Sequence, residues 1–124
     1  MPVVHPSATV RFGDIEGTEI VGLASPSRGS AELSAWRLRL EAGVSSPAHA
    51  LDHEEVFVVL AGRVQMTCGA IVEEAEAGGA LIAPIGTELV LHNPGPEPFE
   101  AIACAPAAIR ATVAGDTFAP PWAA

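Results

Sequence analysis

The sequence predicts an all-β domain, a sandwich or barrel of short strands. Three observations carry this expectation. Twelve glycines and eleven prolines interrupt the 124 residues too often for long helices. Between them lie eight apolar runs of roughly five to eight residues, spaced regularly. Several runs alternate apolar and polar residues, the period of a strand with one buried face.

The first run is "TEIVGLA" (18–24), followed by "SPSRGS", whose Pro, Gly and Ser suit a turn. In "AELSAWRLRL" (31–40), Trp36, Leu38 and Leu40 share one face, while Ala35, Arg37 and Arg39 share the other. "EAGVSSPAH" then leads to "EEVFVVLAG" (54–62), which is apolar on both faces after its glutamates. Such a strand should be covered on both sides, by the core on one and by a partner subunit on the other. A homodimer is therefore expected. The turns "AGR", "EAGG", "PIGT" and "NPGPEP" separate the strands "RVQMTCG" (63–69), "AIVEEAE" (70–76), "GALIAP" (79–84), "TELVLHN" (87–93) and "PFEAIACAP" (98–106). "AAIRATVAG" (107–115) fits a helix start or a further strand equally well. The ending "FAPPWAA" (118–124) cannot be helical through its two prolines. Held extended, it loses little entropy on docking: Phe118 and Trp122 are expected to cover apolar surface of their own barrel, or the tail crosses to a second subunit or closes a barrel mouth.

Composition narrows the function classes. The length suits a single domain over residues 1–124, able to form a core without disulfides. The net charge is −9, and the six basic residues, all arginine, are scattered. Nucleic-acid binding needs clustered positive charge, so it is set aside. No apolar run approaches the ~20 residues of a membrane span. "MPVVHPSATVRFGD" lacks the basic start and apolar stretch of a signal peptide, so a cytoplasmic location is expected. Cys68 and Cys104 have no CxxC spacing and are expected to be buried free thiols.

Two spaced patterns stand out. Gly43 is followed by five residues and His49, and Glu55 by six residues and Gly62. Gly78, Pro84, Gly86 and Asn93 form the second pattern. Together they resemble the two motifs of the cupin superfamily, G(x)5HxH(x)3,4E(x)6G and G(x)5PxG(x)2H(x)3N. The resemblance covers about residues 33–106, leaving an extended tail at 114–124. It implies a double-stranded β-helix, the jelly-roll cupin barrel. "FAPPWAA" also resembles the tail of many small single-domain cupins.

In that family, four residues converge on one metal inside the barrel. By position they would be residues 49, 51, 55 and 89. Here His49 and Glu55 are present, but the other two are Leu51 and Leu89. If the segment is regular and extended, residues 49, 51, 53 and 55 share a face. His53 would then stand beside Glu55, and His49, His53 and Glu55 would supply three metal ligands. Such a set suits zinc, or iron, nickel or manganese in an octahedral shell. The other reading of His53 is a histidine at the pocket mouth. His92 has the wrong parity for a ligand. The remaining pocket wall is expected from Trp36, Leu38, Leu51, Phe57 and Leu89, with Val59 facing the same interior. Without a cation, Glu55 there would be desolvated and its pKa raised, partly opposed by pairing with His49.

Three functions follow. The first is a small-molecule-binding cupin with an apolar pocket and a degenerate metal site. The second is a metal-dependent, dioxygenase-like enzyme using His49, His53 and Glu55. The third is a metal-free acid–base isomerase or cyclase using His49 and Glu55 as catalytic groups. The cofactor expectation is accordingly none or a single divalent transition metal.

Overall fold

The computed structural model describes residues 3–13 and 15–124. Its strands, in chain order, are β1 (Val10–Phe12), β2 (Thr18–Ala24), β3 (Leu33–Leu40) and β4 (Ala50–Leu51). They continue with β5 (Glu55–Ala61), β6 (Arg63–Cys68), β7 (Ile71–Glu76) and β8 (Ala80–Ala83). The last four are β9 (Leu89–His92), β10 (Phe99–Pro106), β11 (Ala111–Val113) and β12 (Asp116–Phe118). All eight expected strands form, and the helix alternative at 107–115 gives way to β11. The short β-branched run "ATV" pairs with both β4 and β12, and that pairing decides its conformation.

Two faces enclose the interior. One is a six-stranded antiparallel sheet in the order β1-β2-β3-β10-β5-β8. The other combines two three-stranded sheets, β7-β6-β9 and β12-β11-β4. Bridges Ser45↔His92 and His49↔Leu89 join them through the segment leading into β4. This is the jelly-roll arrangement. Its long-range strand pairs, such as β3 with β10, require the chain to close large loops.

The alternation in the sequence appears as burial. Trp36, Leu38 and Leu40 of β3 point inward, as do Phe57 and Val59 of β5 and Ala101, Ala103 and Ala105 of β10. The register explains why β10 carries alanines. Ala103 lies between Trp36 and Phe57, and Ala101 between Leu38 and Val59. Small side chains in the middle strand leave room for large neighbours on both sides, so the layer fills without overpacking.

One expectation needs correction. Cys68 and Cys104 are free thiols but only half-buried: Cys104 sits on the less covered face of β10, while Cys68 shares the inward face of β6 with Val64 and Met66 but ends that strand, at the edge of the core. The outer face of β5, for which a partner subunit was the expected cover, is left open by the described residues of this chain. Val58 and Leu60, with Ile82 on neighbouring β8, are exposed.

The framework residues of the two spaced patterns sit where geometry demands them. Gly43, Gly62, Gly78 and Gly86 have φ of 77°, 70°, 93° and 79°. Gly62 is the most constrained, since a Cβ there would collide with the Pro98 carbonyl and crowd Phe99. Asn93 is fully buried and saturated with hydrogen bonds. Its Nδ2 donates to the carbonyls of Leu40 (3.1 Å) and Glu97 (2.8 Å), and its Oδ1 accepts from Gly95 N (3.0 Å). One side chain thus ties β9, the end of β3 and the "NPGPEP" turn together.

The tail docks on its own barrel. Ala123 is buried, and its carbonyl accepts from buried Ser34 Oγ at 2.6 Å. Trp122 meets Phe12 edge-on, with ring centroids 6.3 Å apart. Arg28 Nη2 donates to the Trp122 carbonyl at 3.4 Å.

Asn93→Ala should lower unfolding free energy by about 2–4 kcal/mol in denaturant titration, because it strands the buried Leu40 carbonyl. A loss within experimental error would remove Asn93 as a tie. Deleting residues 118–124 should lower the Tm by roughly 5–10 °C, through re-exposed apolar surface. An unchanged Tm would mean that the tail contributes nothing to stability.

Candidate functional site

The interior is not completely filled. A cavity of about 180 Å³ remains between the two faces, open toward solvent at one end. Trp36, Leu38 and Leu40 of β3 form one wall, with Phe57 and Glu55 of β5 beside them. Leu51 of β4 and Leu91 of β9 face them from the other sheet. Ala111 and Val113 of β11 lie near the mouth, where Phe118, Pro120 and Trp122 of the tail complete the rim. The lining is almost wholly apolar. Its polar members are Thr18, Ser46, His49 and Glu55.

The sequence-derived site residues separate into two groups. Trp36, Leu38, His49, Leu51, Glu55 and Phe57 all line the cavity. His53 and Leu89 do not. The reason for His53 is a bend. Strand β4 ends at Leu51 and β5 starts only at Glu55, so the segment between is not extended. Asp52 holds the bend: its N–H donates to the Arg110 carbonyl (3.1 Å), and its Oδ1 accepts from Arg110 N (2.6 Å) and His53 Nδ1 (2.8 Å). The parity that would align 49, 51, 53 and 55 is therefore broken. His53 stands outward, with 41% of its side chain exposed. Partial burial raises the Asp52 pKa, but the Arg110 N–H and the His53 ring outweigh it and hold the carboxyl below its ordinary value.

Leu89 is fully buried opposite His49, but it packs in the core and does not touch the cavity. Leu91, two residues on along the same face of β9, takes the wall position that the sequence assigned to Leu89. The tail's place in the cavity lining agrees with one of the sequence alternatives, closure of a barrel mouth. Its signal was there in Phe118 and Trp122, two aromatics held on a proline-rich segment. His92 lies off the cavity, as its parity requires, with Nδ1 2.6 Å from Ser45 Oγ.

His49 and Glu55 differ in electrostatic state. The His49 Nδ1 lies 2.8 Å from the Pro47 carbonyl oxygen, which can only accept, so Nδ1 carries the hydrogen. In the neutral ring this leaves Nε2 as an acceptor. Glu55 is 6% exposed. Desolvation pushes its pKa up to about 8, and no hydrogen bond or neighbouring charge opposes the rise. The pairing with His49 expected from sequence does not form. Glu55 is therefore a neutral acid at pH 7, able to donate one hydrogen bond.

These residues do not fit the four-ligand centre that the resemblance implies. Two of its positions carry leucine, and His53 points away from Glu55. Among the described residues, no group of three or more His, Cys, Asp and Glu side chains is arranged to hold a metal ion. No helix among them is long and apolar enough to cross a membrane.

Burial of Glu55 makes stability depend on pH. Its ordinary pKa is 4.5, while the folded value is about 8. Between these values the folded chain holds a proton that the unfolded chain has released. This contribution is complete below pH 4.5, declines as pH rises, and is exhausted above about 8. Glu55→Gln should therefore flatten the decline and exceed the parent in stability by roughly 2–4 kcal/mol near pH 8, measured by urea unfolding. A parent whose stability rises across that window would mean that Glu55 is charged and paired.

The Cupin domain family model matches residues 36–104. A search of curated proteins found no match. Solved structures with the same fold include an RmlC-like cupin from Shewanella frigidimarina, 17% identical, with a TM-score of 0.69 over 84% of this chain and 88% of that one. The polyketide cyclase RemF from Streptomyces resistomycificus is 19% identical, with a TM-score of 0.72 over 86% and 79% of the two chains. A sugar phosphate isomerase of the cupin superfamily from Silicibacter pomeroyi is 15% identical, with a TM-score of 0.74 over 93% and 83%. At such identities the likeness is one of fold. With both spaced patterns in register on a jelly roll, and the family model spanning more than half of its length, the chain belongs to the cupin superfamily.

Proposed function

We propose that this cupin binds a small, mainly apolar molecule inside its barrel and that its metal site is degenerate. The observation that carries the reading is Glu55, a buried carboxyl without a protein partner among the described residues, in a mainly apolar chamber. An unpaired buried carboxyl costs stability, and a ligand that accepts its hydrogen bond would repay part of that cost. Leu51 supports the same reading: it replaces a lone-pair donor by an apolar contact at the cavity wall. An imidazole and a carboxyl alone hold a transition metal poorly against competing sites.

A second reading is favoured by one specific feature. His49 Nε2 and the Glu55 carboxyl form an acceptor and a donor on one cavity, the pair that proton relocation requires. An acid–base isomerase or cyclase would use both. Glu55→Gln would then abolish turnover of a ligand, once found, while keeping much of its binding.

Elemental analysis of protein purified without added metal, combined with a binding assay, tests the main proposal. Metal should stand well below one equivalent per chain, and toluene should shift amide resonances of cavity residues. Ala111→Phe, which fills the chamber from β11, should abolish those shifts while the protein still melts cooperatively. Stoichiometric metal that is lost in His49→Ala would overturn the degenerate-site reading.

A further inference from the structure

The cavity wall constrains the chemistry of its ligand beyond size. None of the six arginines lines it, and the chain has no lysine. Among the described residues, the only carboxyl in the wall is Glu55. A bound carboxylate or phosphate would thus enter an apolar chamber beside an acid, with no fixed cation to pair with it. Of the other polar lining groups, Ser46 Oγ is already engaged: it accepts from Leu91 N at 2.9 Å and donates to the Pro47 carbonyl at 3.2 Å. His49 differs. The Pro47 carbonyl holds its Nδ1–H, which leaves Nε2 without a protein partner among the described residues. In the neutral ring that nitrogen is acceptor-only. The volume sets the scale, since a dry cavity of about 150 Å³ accommodates benzene. The 180 Å³ here suits one ring with a few added atoms.

Resting on the binding function proposed above, we propose that the pocket selects an uncharged, single-ring hydroxyl compound, a phenol or cyclic enol, whose O–H donates to His49 Nε2. The ring fills the space between Trp36, Phe57, Leu51 and Leu91. Pro47 acts as a positioning group, because its carbonyl fixes which imidazole nitrogen faces the ligand. A site built to receive one hydrogen bond discriminates sharply against an analogue that lacks the donor.

Four probes that share a methyl-substituted benzene ring and differ in the para group test this: 4-methylphenol, 4-methylanisole, 4-methylbenzoate and toluene, titrated by NMR near neutral pH. The phenol should bind at least about tenfold more tightly than the methyl ether or the carboxylate. In His49→Ala, the phenol and ether should differ by less than about threefold, with toluene still binding. Equal affinity of phenol and ether in the parent protein, with toluene bound, would overturn this inference but leave the apolar-pocket function standing. The carboxylate binding most tightly would also overturn it. So would a phenol preference that survives in His49→Ala. Failure of all four probes to bind would sink both this inference and the function it rests on.

Discussion

The site depends on one seam, the antiparallel contact between residues 43–49 and β9. Gly43 N donates to the Asn93 carbonyl (3.0 Å), and Asn93 N to Val44 O (2.9 Å). Ser46 N donates to Leu91 O (2.7 Å), and His49 and Leu89 exchange both backbone bonds (3.0 and 2.7 Å). The two cupin motifs meet along this line. It fixes His49 on the chamber wall, and it turns Leu91 toward the cavity and Leu89 into the core. The Asn93 side chain anchors one end of the seam to β3. The Asp52 bend, bonded to Arg110, terminates it at the other.

The seam also explains why a metal centre is hard to rebuild from the residues at hand. Positions 49 and 89 face each other across paired strands, so a histidine at each would converge. A leucine opposite His49 removes that convergence at its geometric origin. His53 cannot compensate from beyond the bend. What remains is one imidazole with a fixed hydrogen, one carboxyl pushed toward its neutral form and the Thr18 hydroxyl, set in a mainly apolar chamber. Such an arrangement favours recognition by shape and by the direction of single hydrogen bonds. It does not favour charge pairing. Keeping Glu55 buried works against stability as pH rises through the neutral range.

Much of this was legible in the chain. The alternation in "AELSAWRLRL" placed Trp36 and Leu38 on the wall, and the same parity placed Phe57. Motif spacing located His49, Leu51 and Glu55, and the turn residues marked nearly every strand end. Parity failed at His53 because it assumes an unbroken strand, whereas Asp52 bonds to a backbone 58 residues away. It was incomplete at Leu89 because the cavity does not extend along the whole inner face of β9. An inward direction does not say whether a side chain meets a void or a neighbour.

The sequence by itself determined the fold class, the family framework and the leucines at positions 51 and 89. Those features are local: turn glycines, a period of two, and residue identities at fixed spacing. Tertiary structure alone decided that His49 and Glu55 stay unpaired. It also decided that Pro47 fixes the imidazole tautomer, that β11 is a strand, and that the tail rims the cavity of its own barrel. Each of these depends on contacts between segments far apart in the chain, and packing, rather than local spacing, sets which atoms those contacts bring together.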